Sequence, residues 1–394
     1  MRARQEVGVG IVGAGLMGRE IATAIQRWPA LIEHPVSPRV TAVADINPAA
    51  LDWFDQLGTV TTKATDYHDI LSAPDVDVVY IAVRHDLHEQ FCIDTVRAGK
   101  DLLAEKPFGI DATASTRIMA EIDGHPGAFV RVSSEMPFFP GAQKALALLR
   151  SGVLGQIIEA RNSFLHSSDL NVDKPINWKR QRQFCGDAGV MNDLGMHALH
   201  VPLRLGWHPS RVFAMLQNLV PTRPGPNGDR VECDTFENAV LVNEVEGELG
   251  PFPLYVEVKR IAPGHKNTWS LRVEGMRGAV EFSTRNPKAV RVLTTAAQPA
   301  LGQMAGEQLW QRADAGSQSV WPTVTGPIFE SGFSDAILQM LAAFFAERAG
   351  LLGDRFGCAT PQEARTTHDI FAAALRSHDL QVAVPFPSPA SKAA

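Results

Sequence analysis

Residues 7–18 read Val7-Gly8-Val9-Gly10-Ile11-Val12-Gly13-Ala14-Gly15-Leu16-Met17-Gly18. A short apolar run rich in valine and isoleucine meets a glycine turn, and the pattern beyond it, Gly18 to Arg27, becomes helical. A strand feeding a helix through a turn of this composition is the setting in which GxGxxG has a mechanism. Gly13 permits the tight turn, Gly15 lets a pyrophosphate approach the backbone, and Gly18 lets the helix pack closely on the strand. The free N–H groups at the helix start face the anion. Gly13, Gly15, Leu16, Met17 and Gly18 are therefore the expected dinucleotide cradle; a glycine turn without a ligand is the alternative.

Working outward, Val40 to Ala44 and Val76 to Val83 are further unbroken apolar runs, with a helical stretch from Leu87 to Ala98. Strands without polar alternation are buried on both faces, as in a parallel sheet covered by helices. The first third is thus expected to be βαβαβ, giving an α/β, doubly wound Rossmann domain over residues 1–137. Asp45 ends the second strand, where an acid can accept the ribose hydroxyls and repel a 2′-phosphate, favouring NAD over NADP. It follows Gly18 by 27 residues, a long interval that a proline-punctuated insertion from Trp28 to Arg39 would explain. The other reading of Asp45 is a helix cap, since Asn47 and Pro48 follow.

Near Phe138 the texture changes. A helix from Gly141 to Arg150 leads to strands that alternate: Leu254, Val256 and Val258 against Tyr255, Glu257 and Lys259, then Trp269, Leu271 and Val273 against Ser270, Arg272 and Glu274. Period-two alternation predicts a large, mostly antiparallel sheet with one open face, an α+β domain over residues 138–381. Thr360, Pro361 and Glu363 mark a helix start, and residues 382–394 read as a flexible tail.

The chain has 394 residues, with 37 Lys and Arg against 43 Asp and Glu, a net charge of −6. Those charges are scattered, so neither nucleic acid nor a membrane is an expected partner, and no apolar run approaches the ~18 residues of a membrane span. Four dispersed cysteines form no CxxC pair, and MRARQE leads into an apolar segment too short for a secretory signal; both suggest the cytoplasm.

Chemistry-bearing residues appear in ordered motifs: Leu87-His88; AGKDLLAEKPFG over residues 98–109; Ser151-Gly152-Val153-Leu154-Gly155; and Asp193-Leu194-Gly195-Met196-His197. With the glycine turn upstream, these resemble the Gfo/Idh/MocA oxidoreductase family, the motifs reaching to about residue 200 and the match continuing more loosely through LRVEGMRGAVEF at residues 271–282. The resemblance implies an NAD(P)-linked dehydrogenase of sugars, polyols or related compounds, with Lys106, Asp193 and His197 at the reacting carbon, a cis Lys106–Pro107 bond, and assembly into a dimer or tetramer. It also implies cofactor contacts from Arg84, His88, Glu105, Lys106 and Glu135.

The residues permit this chemistry independently. Asp193 and His197 are four positions apart and would share a helix face. Imidazole titrates near neutrality, so His197 suits proton acceptance while Asp193 orients substrate or ring. Lys106 can polarise an oxygen and pass protons. His200 adds a possible third ligand for a metal on that helix, but one helix seldom supplies three, and no metal is expected. Arg84-His85-Asp86 departs from the family's usual turn after the fourth strand. The stretch holding Ser167, Asp169, Asn171, Asp173, Trp178, Lys179, Arg180 and Arg182 mixes hydroxyl-binding groups with an aromatic ring; Trp178 and His166 are the substrate contacts selected. The lead expectation is NAD-dependent oxidation of a secondary hydroxyl on a sugar, cyclitol or sugar derivative. A glycoside hydrolase or lyase using NAD without net redox change, and a non-catalytic NAD or sugar sensor, remain alternatives.

Overall fold

The computed structural model describes residues 5–296, 307–316 and 318–386. In chain order it runs β1 (Gln5–Val12), α1 (Leu16–Gln26), β2 (Val36–Ala44), α2 (Pro48–Leu51), β3 (Thr62–Ala64), α3 (His68–Ser72), β4 (Val78–Ile81), α4 (His88–Arg97), β5 (Asp101–Ala104), α5 (Ala112–Gly124) and β6 (Val130–Val132). Next come α6 (Pro140–Arg150), β7 (Ile157–Leu165), α7 (Arg182–Cys185), a π-helical turn (Met191–Gly195), α8 (Met196–Arg204), β8 (Pro209–Gln217), β9 (Thr222–Pro224), β10 (Arg230–Glu232), β11 (Asn238–Val245) and β12 (Phe252–Lys259). The chain continues with β13 (Thr268–Gly275), β14 (Gly278–Ser283), β15 (Ala289–Thr294), β16 (Trp310–Asp314), α9 (Phe333–Arg348), α10 (Pro361–Leu380) and β17 (Val384–Pro385).

These elements form two compact units. The first holds the described residues up to Phe138 and also Ser319–Arg365, a segment that the sequence reading leaves in the second domain. Its sheet is parallel throughout, in the order β3-β2-β1-β4-β5-β6. That is the doubly wound arrangement, whose crevice lies where the strand order reverses, beside β1. The buried runs are as expected: Ile11, Val40, Val43, Val79 and Ile81 have no exposed surface.

The supposed insertion at Trp28–Arg39 is shorter than expected, because β2 already begins at Val36. What remains has a structural task. Trp28 Nε1 donates to Val36 O at 2.7 Å, its ring meets Phe345 edge-on at 5.5 Å, and a ring nitrogen of His34 lies 3.0 Å from Ala342 O. The segment thereby docks α9 beside α1, where Arg27 pairs with Asp335 and Ser334 donates to Glu20 at 3.2 Å. Arg348 and Asp101, at 2.6 Å, tie the far end of α9 to β5. Thr360 and Glu363 exchange reciprocal capping bonds of 2.8 and 3.1 Å at the start of α10.

The second unit is built on a nine-stranded sheet, β16-β15-β14-β13-β7-β12-β11-β8-β17. Only β7 and β12 pair in parallel, and every other neighbour is antiparallel. Alternation along β12 buries Leu254, Val256 and Val258 and turns Tyr255, Glu257 and Lys259 outward; β13 buries Trp269, Leu271 and Val273 in the same way. Helices α6 and α8 lie against the sheet. Part of the supposed tail is ordered: Val384 pairs with Val212 of β8, so the backbone hydrogen bonding of an edge strand extends past residue 382. Residues 387–394 lie outside the described residues.

Candidate active site

In the first unit the glycine turn forms as its spacing predicts. Gly13 takes φ +106°, and a Cβ there would lie 2.3 Å from Ala82 O, so the turn excludes any side chain. A Cβ on Gly18 would strike Gly13 O at 2.0 Å, whereas one on Gly15 would meet nothing within 4 Å. Gly15 therefore opens the cradle and the other two close the turn beneath it. Leu16 is 76% exposed and Met17 partly so. Asp45 braces this turn: one carboxylate oxygen accepts Ala14 N–H at 2.8 Å and the other accepts Asn47 N–H at 2.9 Å. It does not cap the following helix, because the side chain of Asn47 does, accepting from Ala49 N–H. Half-buried, Asp45 stands beside the open cradle with lone pairs to spare. A cradle empty of side chains, edged by a carboxylate, fits a dinucleotide with free ribose hydroxyls.

The turns after β4 and β5 carry the next group. Arg84 binds Asp86 through two contacts of 3.1 and 3.0 Å. Lys106 follows β5 at partial exposure, and its bond to Pro107 is cis. Glu105 accepts from Tyr80 Oη at 2.7 Å and from Ser133 Oγ. Burial, then the neighbouring Glu105 charge, pushes Glu135 up to about 7, and Lys106 acts against that rise. Burial and Glu105 also hold the Tyr80 phenol protonated far above its usual range. Lys106 thus lies within electrostatic reach of a buried Glu135 that tends to retain a proton.

His88 lies beneath this group. It has no exposed surface, and its ring nitrogens face Pro107 O at 2.7 Å and Val83 O at 3.0 Å. Both partners are acceptors, so a neutral imidazole satisfies one at a time. Burial lowers the pKa of His88, with the two carbonyls opposing. It links the turn after β4 to the turn that carries Lys106.

In the second unit Asp193 and His197 do not share one regular helix. Asp193 lies in the π-turn and His197 in α8, so the four-residue spacing loses its simple meaning. Gly195 between them is required by close approach: a Cβ would lie 2.4 Å from the Phe371 ring. His197 is buried, edge-on to Phe164 at 5.2 Å, and its carbonyl accepts Trp269 Nε1 at 2.9 Å. Both oxygens of Asp193 are engaged: Oδ1 accepts Lys179 Nζ at 2.7 Å and Oδ2 accepts Arg260. Val190 is the cap of the π-turn and Gly195 that of α8, so Asp193 caps neither.

A cavity of about 300 Å³ opens here, entirely within the second unit, lined by His166, Asn177, Trp178, Lys179, Asp193 and Arg260 with Ser168 and Lys174. It joins His166 and Trp178, the two substrate contacts selected from sequence, to Asp193. The residues missed are Lys179, Lys174 and Arg260. Lys179 stood in the polar stretch already singled out, but its neighbours Asp169 and Arg180 have the same polarity and are wholly buried. Arg260 follows β12, 67 residues from its partner Asp193, and no local spacing reveals such a pair. His200 is buried against Arg204 at 3.5 Å, and the described residues contain no group of three His, Cys, Asp or Glu able to hold a metal. No helix among them is long and apolar enough to cross a membrane.

Comparison with known proteins finds the same architecture. A complex of levoglucosan dehydrogenase with NADH and levoglucosan superposes with a TM-score of 0.85 over 98% of this chain and 100% of that one, at 22% identity. An NAD-binding oxidoreductase from Klebsiella pneumoniae gives the same TM-score at 21% identity. In sequence, levoglucosan dehydrogenase of Pseudarthrobacter phenanthrenivorans is 25% identical over 300 residues, 71% of this chain and 74% of that protein. Human trans-1,2-dihydrobenzene-1,2-diol dehydrogenase is 29% identical over 274 residues, 69% of this chain and 73% of that one. The family model for the oxidoreductase family with an NAD-binding Rossmann fold matches residues 7–132, and the model for the GFO/IDH/MocA C-terminal domain matches residues 142–281. With the glycine turn, the Lys106 turn and the Asp193 region all inside those matches, the chain belongs to the Gfo/Idh/MocA oxidoreductase family.

Proposed function

We propose that this protein is an NAD-dependent dehydrogenase that oxidises a secondary hydroxyl of a sugar, cyclitol or sugar derivative. The observation that carries the reading is the side-chain-free cradle at Gly13, Gly15 and Gly18, braced by Asp45. Similarity to levoglucosan and dihydrodiol dehydrogenases, both acting on hydroxyl-bearing rings by their names, supports the substrate class. NAD would be held by the glycine turn and Asp45, with Leu16, Met17, Arg84, Glu105 and Glu135 close to the same crevice. When bound, it supplies a hydride acceptor.

The chain supplies the rest. Lys106 polarises the reacting oxygen, with the buried Glu135 within electrostatic reach of it. His197 accepts the hydroxyl proton. Asp193 acts by orientation, since its two oxygens hold Lys179 and Arg260. His166 and Trp178 receive the sugar. We propose further that the protein works in the cytoplasm as a homo-oligomer, dimer or tetramer. Phe213 and Met215, 42% and 54% exposed on the outer face of β8, support an assembly through the open sheet face.

The test is reduced-nicotinamide absorbance across a panel of sugars and polyols, with NAD and NADP titrated separately. Stoichiometric reduction by NAD supports the assignment. Products without net reduction, or tighter binding of NADP, overturn the reaction or the cofactor respectively. Lys106→Ala should lower turnover by about 10²-fold or more with little change in NAD affinity; equal losses in both would refute its role.

A further inference from the structure

The cavity beside Asp193 has a charge balance that a neutral sugar does not require. Its lining carries three basic side chains, Lys174, Lys179 and Arg260, against the single carboxylate of Asp193. Behind it the buried Asp169 faces Arg260 at 3.3 Å and Lys174 at 3.6 Å, and the buried Arg180 pairs with Glu237 at 2.6 Å. Four cations therefore meet three carboxylates across this network.

The buried members largely satisfy one another. The two lysines stand at the cavity, with side chains 41% and 33% exposed, while Asp169 and Glu237 are sealed beneath at 1% and 0%. Lysine and arginine only donate hydrogen bonds, whereas sugar hydroxyls need acceptors as well as donors. Lys179 lies 5.5 Å from the Trp178 ring, so an apolar ring face and a concentrated positive charge adjoin.

Resting on the dehydrogenase reading above, we propose that the substrate is an acidic sugar whose anionic substituent, a carboxylate or a phosphate, is bound by Lys174 and Lys179. At about 300 Å³ the cavity suits a monosaccharide-sized ligand.

The experiment is calorimetric titration of the protein saturated with reduced cofactor, NADH, which cannot accept a hydride from the sugar, using glucuronate, galacturonate, glucose 6-phosphate and glucose at matched ionic strength. The acidic sugars should bind at least about tenfold tighter than glucose, a difference of ~1.4 kcal/mol, and the gap should shrink as salt rises. Whether uronates or the phosphate bind tighter identifies the substituent. Lys179→Met should close the gap. Lys174→Met, on the more exposed lysine, should narrow it and guards against misfolding of the first variant. Equal binding of all four sugars, no binding by the acidic ones, or a gap unchanged in both variants overturns the proposal. Because binding is read without turnover, a failure here is distinct from a failure of the dehydrogenase reading, which the absorbance assay registers.

Discussion

Asp193→Asn probes the second unit most directly, because it keeps the shape of the side chain while removing its charge and replacing one of its two accepting oxygens by a donor. At 2.7 Å and an effective dielectric of 20, the attraction between Asp193 and Lys179 is about 6 kcal/mol gross, most of it offset by desolvation. Breaking a wholly buried pair costs about 3–5 kcal/mol. Two features reduce the figure here. Arg260 keeps Asp169 at 3.3 Å, and Lys179, one-third exposed, can turn its ammonium to water. The expected loss is therefore about 2–3 kcal/mol, read as a lower urea midpoint for the transition reported by tryptophan fluorescence. Turnover should fall by about 10²-fold as Lys179 and Arg260 lose their anchor. A cycle with Lys179→Met isolates the direct pair, whose coupling should be about 1 kcal/mol. Unchanged urea midpoint and unchanged turnover in Asp193→Asn would refute the network argument.

Two further outcomes are expected. Gly13→Ala places a Cβ 2.3 Å from Ala82 O at φ +106°, so stability should drop by a few kcal/mol (about 1–3 from the backbone alone) and NAD affinity should fall with it, as a titration would show. Glu135 has a folded pKa raised from 4.5 to about 7, so its protonated form favours folding; that contribution is full below the unfolded value and is lost as pH rises through the folded one. Glu135→Gln should flatten the decline in stability between about pH 5 and 8, and a variant that declines as steeply as the parent would contradict the raised pKa.

Much of the first unit was legible in the chain. The run from Val7 to Val12, the glycine spacing and Asp45 each act through neighbours in sequence or through the adjoining strand end, so their reading needed only local geometry. The alternation along β12 and β13 told which residues are buried, because strand pleating carries that information residue by residue. The surroundings of His88 were not legible for a related reason: a motif shows that a histidine stands after β4, but not that carbonyls of Val83 and Pro107 face both its nitrogens.

Sequence by itself determined the doubly wound sheet, the nucleotide turn, the open antiparallel sheet and the family, since periodicity and turn chemistry are properties of short segments. Only tertiary structure decided that Ser319–Arg365 joins the first unit, that Asp193 lies in a π-turn ahead of the helix that carries His197, and that Asp193 is held by Lys179 and Arg260. Charges and rings that meet across tens or hundreds of residues obey Coulomb attraction and packing, neither of which leaves a periodic trace along the chain.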